Sequence, residues 1–223
     1  DWGAVHDRVA AFKGGLDLEM PGPQEGRVKA AIEAVQKGEL DEAIVDEAVR
    51  RILKIIFKAQ QTPKGKAFDQ EAHHQLAAKI ASEGMVLLKN KGLLPLKGQK
   101  KIAIIGRSAQ YPHFQGGGSS HVNPTKVSIP LEELNKVAQD VEFTYSEGYP
   151  KDLSLRQDLI DAAVKAAAEA DAAILFIALP TNAESEGYDR DTIDLTKQQI
   201  TLIKAVAKAQ PQCVVVLNNG APV

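Results

Sequence analysis

The stretch from Asp171 to Gly220 decides the fold: DAAILFIALP (Asp171–Pro180), TNAESEGYDRDTID (Thr181–Asp194), LTKQQITLIKAVAKAQ (Leu195–Gln210) and, two residues on, CVVVLNNG (Cys213–Gly220). Two short apolar runs bracket a charged loop and a segment of helical periodicity, which predicts strand, long loop, helix, strand. Upstream the same alternation holds. KIAIIG (Lys101–Gly106) is a short, β-branched run of the kind found in strands covered on both faces. VEFTYSEGY (Val141–Tyr149) reads as a second strand and DLIDAAVKAAAEA (Asp158–Ala170) as a helix. Strands alternating with helices imply right-handed crossovers and a mainly parallel sheet with helices on both sides. Ligands of such sheets meet the loops that follow the strands' carboxyl ends. Three loops qualify: GRSAQYPHFQGGGSSHVNPT (106–125), PTNAESEGYDRD (180–191) and NNGAPV (218–223). The first two are too long to be plain connectors, which favours a functional role for them.

The first third of the chain has a different pattern. DRVAAFKGG (Asp7–Gly15) predicts a short helix closed by glycines, LDLEM (Leu16–Met20) is strand-like, and MPGPQEG breaks regular structure. In GRVKAAIEAVQKG, Val28, Ala31, Ile32 and Val35 share a helical face. In LDEAIVDEAVRRILKIIFKAQ, Asp41 is placed to cap a helix striped by Ile44, Val45, Ala48, Ile52 and Ile56. A strand followed by two helices, with no strand returning, reads as the end of an α/β unit. QTPKGKAF (Gln61–Phe68) reads as linker. Asp69 then caps a predicted helix in QEAHHQLAAKIASEG, and MVLLKN with GLLPL predicts a short extended pair.

With 223 residues and 44% hydrophobic content, the chain can bury a sizeable core. A net charge of -2 and a pI near 6.3 argue against nucleic acid as a partner. The one basic cluster, KGQKK (Lys97–Lys101), is read as a solvated turn. No apolar stretch approaches the ~20 residues that cross a bilayer, so no membrane partner is expected. The lone Cys213, in an apolar run, is read as a buried structural thiol. Opening on Asp1 without methionine, the chain reads as a piece of something longer. Its expected location is the cytoplasm, and homo-oligomer formation is left open.

The candidate chemistry narrows by elimination. Gly106 is followed by Arg107, Ser108 and Ala109, so a dinucleotide fingerprint fails on spacing, and there is no GxxxxGK[ST] phosphate loop. His6, His73, His74, His113 and His121 show no metal-ligand spacing, so neither a metal nor another cofactor is expected. Gly116–Gly118 followed by Ser119 and Ser120 is either a backbone that approaches a ligand or a flexible loop. The loop carboxylates Asp1, Asp7, Glu184, Glu186 and Asp189 remain, and a pair among them could divide acid and nucleophile roles.

DWGAVHDRVAAFKGGLDLEMPGP, EGMVLLKN, KIAIIG with QGGGSSHVNP, ESEGYDR and VVVLNNGAPV occur in an order and spacing that resemble glycoside hydrolase family 3 β-glucosidases. The resemblance covers nearly the whole chain. It implies an α/β fold, a mainly parallel α/β sandwich preceded by the C-terminal part of a (β/α)8-type barrel. The expected boundaries are residues 1–60 for the barrel remnant, 61–71 for a linker and 72–223 for a C-terminally incomplete sandwich. It also implies a retaining β-glucosidase that removes terminal glucose from β-glucosides or short β-glucans, and a chain that is inactive without the barrel portion it lacks. The alternatives are a β-xylosidase or β-N-acetylglucosaminidase of the same family, and a non-catalytic sugar-binding module.

By the resemblance Asp1 is the nucleophile and Glu186 the general acid/base, with Glu184 as its rival. Trp2 and Ser119, or Ser120 in its place, would contact the sugar. Asp189 and Arg190 would form an ion pair that orders the loop. The pKa of Glu186 is expected to be raised, as proton donation demands.

Overall fold

Alternation of small and β-branched residues builds a four-stranded parallel sheet of order β2-β1-β3-β4, with β1 at Lys101–Ile105, β2 at Glu142–Ser146, β3 at Ala172–Ile177 and β4 at Cys213–Leu217. The computed structural model describes every residue except Asp1, Pro23, Lys66, Leu153 and Tyr188. By internal contacts the chain divides into two units, Asp1–His73 and His74–Val223.

The register aligns Ile104 with Tyr145 on one side and with Ile174 on the other, and Phe176 with Val216. Successive residues therefore feed opposite faces. Ala103, Ile105, Ala173, Leu175 and Ile177 join one core. Ile102, Ile104, Ala172 and Ile174 join the other. On the first face lie α6 (Gln157–Ala168) and α7 (Lys197–Ala209), which contribute Ile160, Ala163, Ala167, Leu202 and Val206. Each large side chain buried this way contributes about 1.5–3 kcal/mol. On the second face Leu131 and Leu134 of α5 (Pro130–Val137) cover the sheet. α5 was not among the expected helices, although Leu131 and Leu134 stand three residues apart on its covered face. Cys213 packs against the first core, and burial pushes its thiol pKa up, as befits an unreactive cysteine.

Polar ties fix the helix ends to the strand ends. Thr196 caps α7 reciprocally with Gln199, and the buried Gln199 Nε2 also donates to the Ala178 carbonyl just past β3 (2.7 Å). Gln198, likewise buried, accepts from Arg156 N and donates to the carbonyls of Gly148 and Arg156. At the opposite end of the sheet, the Asp171 carboxylate accepts from the backbone N–H groups of Lys100 and Lys101 (2.8 and 2.9 Å), which ties the basic turn to β3 and holds the carboxyl pKa below its usual value.

In the first unit α1 (Arg8–Lys13), α2 (Glu25–Gln36) and α3 (Glu42–Gln61) form where the periodicity placed them. The Asp7 side chain accepts from Val9 N and Ala10 N, and that of Asp41 from Ala43 N. α4 (Gln70–Gly84) runs across the division, with Asp69 accepting from Ala72 N at its start. No described helix is long and apolar enough to cross a membrane.

Two expectations are corrected. LDLEM is not a strand, because no second strand lies beside it among the described residues of its unit. Its carboxylates go instead to side chains, Asp17 to Arg51 (2.7 Å) and Glu19 to Arg8 and Arg27. MVLLKN and GLLPL do not pair either. The Asn90 side chain closes the segment locally, accepting from Gly92 N and Leu94 N and donating to the Leu94 carbonyl (2.8 Å), so the backbone has no ladder to join.

Gln199→Leu keeps the side chain's bulk but orphans the Ala178 carbonyl and half of the capping box. It is expected to lower the stability of the sandwich unit by about 1–3 kcal/mol. Denaturant unfolding checks this, and an unchanged midpoint would contradict it.

Candidate functional site

The chain leaves β1 for β2 by way of α5 on one face, then returns past β1 to β3 by way of α6 on the other. The connections therefore diverge between β1 and β3, where a crevice opens at the strands' carboxyl ends. The loops after β1, β3 and β4 line a cleft of about 570 Å³ at this end, with Phe114, Gly117, Ser119, Glu184, Glu186 and Asn219 on its walls.

Glycine makes this approach feasible. Gly106 ends β1 at φ 115°, where a Cβ would lie 2.0 Å from the Phe176 carbonyl oxygen. After it comes a single 3-10 turn, Arg107–Ala109, and not the helix that a dinucleotide site would need. Farther along the loop, a Cβ on Gly117 would fall 1.9 Å from Ser185 Oγ, and one on Gly118, at φ 68°, 2.3 Å from Glu186 Oε2. What the structure shows at Gly116–Gly118 is close approach of Gly117 and Gly118 to the loop after β3.

Ser119 joins the two loops. Its backbone N–H donates to Glu186 Oε2 at 2.7 Å, and its hydroxyl donates to the same oxygen at 2.6 Å. Oε1 accepts from no described residue and lies in an exposed side chain. Ser120 turns away from the carboxylate and donates to the Gly117 carbonyl (2.8 Å), which closes the short 3-10 turn Gly118–Ser120.

The expected upward shift of the Glu186 pKa is not found in this unit. The Ser119 hydroxyl, and then its N–H, stabilise the carboxylate and hold the pKa below the usual glutamate value, against a smaller opposing effect of burial. A depressed carboxyl pKa contributes stability above the unfolded value and loses it as pH falls through the folded value. The Ser119–Glu186 tie is therefore weakened by acid.

Glu184, two residues away, has a different environment. Its Oε2 accepts from Gly220 N (3.0 Å), and its Oε1 faces Arg190 Nη1 at 4.0 Å. Asp189 is exposed and makes no ion pair with Arg190, which corrects the expected pairing; the acidic neighbour of Arg190 is Glu184. Trp2 belongs to the other unit, with an indole 69% exposed. Asp1 lies outside the described residues.

Asn218 and Asn219 received no role from the sequence. Asn218 donates to the His113 carbonyl (2.6 Å) in the loop after β1, and Asn219 Oδ1 accepts from Leu179 N (3.1 Å) after β3. The loop after β4 thus ties the other two together. Its only signal in the sequence was two amides directly after a strand.

Residues 85–223 match the glycosyl hydrolase family 3 C-terminal domain. The chain belongs to glycoside hydrolase family 3. Over its full length it is 47% identical to thermostable beta-glucosidase B of Acetivibrio thermocellus, of which it covers 30%. Over 99% of its length it is 38% identical to an exo-alpha-(1->6)-L-arabinopyranosidase of Bifidobacterium breve, again covering 30% of that protein. The crystal structure of a GH3 beta-glucosidase from Bifidobacterium adolescentis aligns with the whole chain at a TM-score of 0.88 and 39% identity, with 33% of that protein covered. The chain thus spans about a third of the length of these relatives.

The Ser119–Glu186 tie predicts a titration. Side-chain NMR should place the Glu186 pKa below that of an ordinary glutamate, and Ser119→Ala should move it upward. A downward movement, or none, would contradict the assigned cause.

Proposed function

We propose that the chain contributes the acid/base and part of the sugar-binding surface to a retaining β-glucosidase acting on β-glucosides or short β-glucans. The observation that carries the reading is Glu186, held on Ser119 in a cleft at the sheet's switch point. Similarity to proteins named beta-glucosidases, at up to 47% identity, supports the substrate class.

In the first step protonated Glu186 gives its proton to the glycosidic oxygen while the Asp1 carboxylate attacks the anomeric carbon. The bond from carbon to the leaving oxygen breaks, the alcohol departs, and an ester joins Asp1 to the sugar. In the second step ionised Glu186 takes a proton from water, whose oxygen attacks the same carbon and releases Asp1. Two inversions leave the anomeric configuration retained. Retaining glycosidases in general hold their two carboxyl groups roughly 5 to 5.5 Å apart.

Donation requires a protonated Glu186, whereas Ser119 favours the ionised form. A sugar that displaces water, with a carboxylate opposite, would reverse this balance by desolvation and like-charge repulsion. Ser119 then serves the second step, in which the base form is needed. Trp2 would offer its indole face to the sugar's C–H groups.

The relative named as an arabinopyranosidase supports a second reading, in which the same carboxylates serve a different exo-glycosidase. A panel of aryl β-glucoside, β-xyloside, β-N-acetylglucosaminide and α-L-arabinopyranoside separates the readings, with the β-glucoside expected to have the highest kcat/KM.

In the full-length enzyme a 2-fluoro-β-glucoside is expected to label Asp1. Azide should restore turnover of an activated aryl glucoside to Glu186→Ala. Label on another residue, or rescue confined to Glu184→Ala, overturns the assignment. The 223-residue chain alone is expected to release no aglycone, because a nucleophile without its sugar-positioning neighbours loses orientation. Measurable turnover by it would contradict that.

A further inference from the structure

Glu184 and Arg190 stand on either side of Glu186 in sequence, and both are drawn toward the loop after β4. Glu184 Oε2 accepts from Gly220 N at 3.0 Å, and Arg190 Nη1 donates to the Pro222 carbonyl at 3.3 Å. The approach is tight, since a Cβ on Gly220 would sit 3.2 Å from Glu184 Oε1. Their side chains are only 15% and 19% exposed, far more enclosed than those of surface ion pairs such as Lys79–Glu83 at 68% each. Glu184 Oε1 and Arg190 Nη2 are out of solvent, and neither has a hydrogen-bond partner among the described residues. Two opposite charges 4.0 Å apart and shielded from solvent attract each other more strongly than they would in water.

We propose that Glu184 and Arg190 form a charge clamp across the base of the acid/base loop, tying it to Gly220 and Pro222 and thereby setting where Glu186 delivers its proton. The proposal rests on Glu186 being the acid/base. Glu184 and Arg190 are positioning residues, because the atoms they touch belong to the loop after β4 and to each other. The clamp closes a rigid path: β4 fixes Asn218–Gly220 through Asn218 N on the Ile177 carbonyl (2.8 Å), Gly220 fixes Glu184, and the next turn of backbone carries Glu186 onto Ser119.

The test compares two substrates in the full-length enzyme. Methyl β-glucoside needs a proton on its leaving oxygen, and 2,4-dinitrophenyl β-glucoside does not. Glu184→Gln keeps an acceptor for Gly220 N–H but removes the charge, and Arg190→Lys keeps the charge but loses the guanidinium's reach. Displacing a general acid by about 1 Å costs on the order of 100-fold. Each variant is therefore expected to lose about 10- to 100-fold in kcat/KM on the methyl glucoside and at least several-fold less on the dinitrophenyl glucoside. The double variant should lose no more than the worse single one. Equal losses on the two substrates, or no loss, would overturn the clamp. If azide restores turnover to Glu184→Ala, Glu184 is itself the acid/base and the functional assignment fails with it. Rescue confined to Glu186→Ala keeps that assignment and leaves the clamp to the substrate comparison.

Discussion

The approach of Gly117 and Gly118 to Ser185 and Glu186 is the constraint on which the site depends. A side chain at either glycine would occupy the space that Ser185 Oγ or Glu186 Oε2 fills. With none there, the loop after β1 presents the N–H and hydroxyl of Ser119 to one carboxylate oxygen, and the other oxygen accepts from no described residue. Two segments whose contact points lie 67 positions apart in sequence are joined by these bonds. The joint forms only because the sheet places the ends of β1 and β3 side by side.

The sheet in turn depends on strands covered on both faces. Ala103, Ala172 and Ala173 are fully buried within the two cores, and isoleucine and leucine fill much of the rest of them. Polar ties then set the loop ends: Gln199 at Ala178, Asn219 at Leu179 and Glu184 at Gly220. These bonds hold both the start of the loop after β3, at Ala178 and Leu179, and its middle, at Glu184.

Much of this was legible in the sequence, for identifiable reasons. All four strands and the helices α6 and α7 were read within a few residues, because a buried strand is a short apolar run and a covering helix is striped. α5 and the segments LDLEM, MVLLKN and GLLPL were not. α5 has eight residues and begins at a proline, while LDLEM looks like a strand but has no neighbour to pair with. MVLLKN and GLLPL carry apolar residues suited to a ladder, yet the Asn90 side chain takes up the N–H groups of Gly92 and Leu94. In the site, the sequence could name the carboxylates but not their partners. Glu184 and Glu186 are chemically identical, and what distinguishes them is which backbone N–H each meets. The lowered pKa of Glu186 had the same origin, since it comes from a serine distant in sequence whose facing depends on two glycines.

The central claim is a division of labour in which Glu186 faces substrate and Glu184 holds the loop. A crystal structure of the full-length enzyme with a trapped 2-fluoroglucosyl group tests it most directly. The account predicts the Glu186 carboxyl within hydrogen-bonding reach of the water position above the anomeric carbon, with Glu184 still on Gly220 and Arg190. A Glu184 carboxyl at the sugar, with Glu186 turned into solvent, would contradict it.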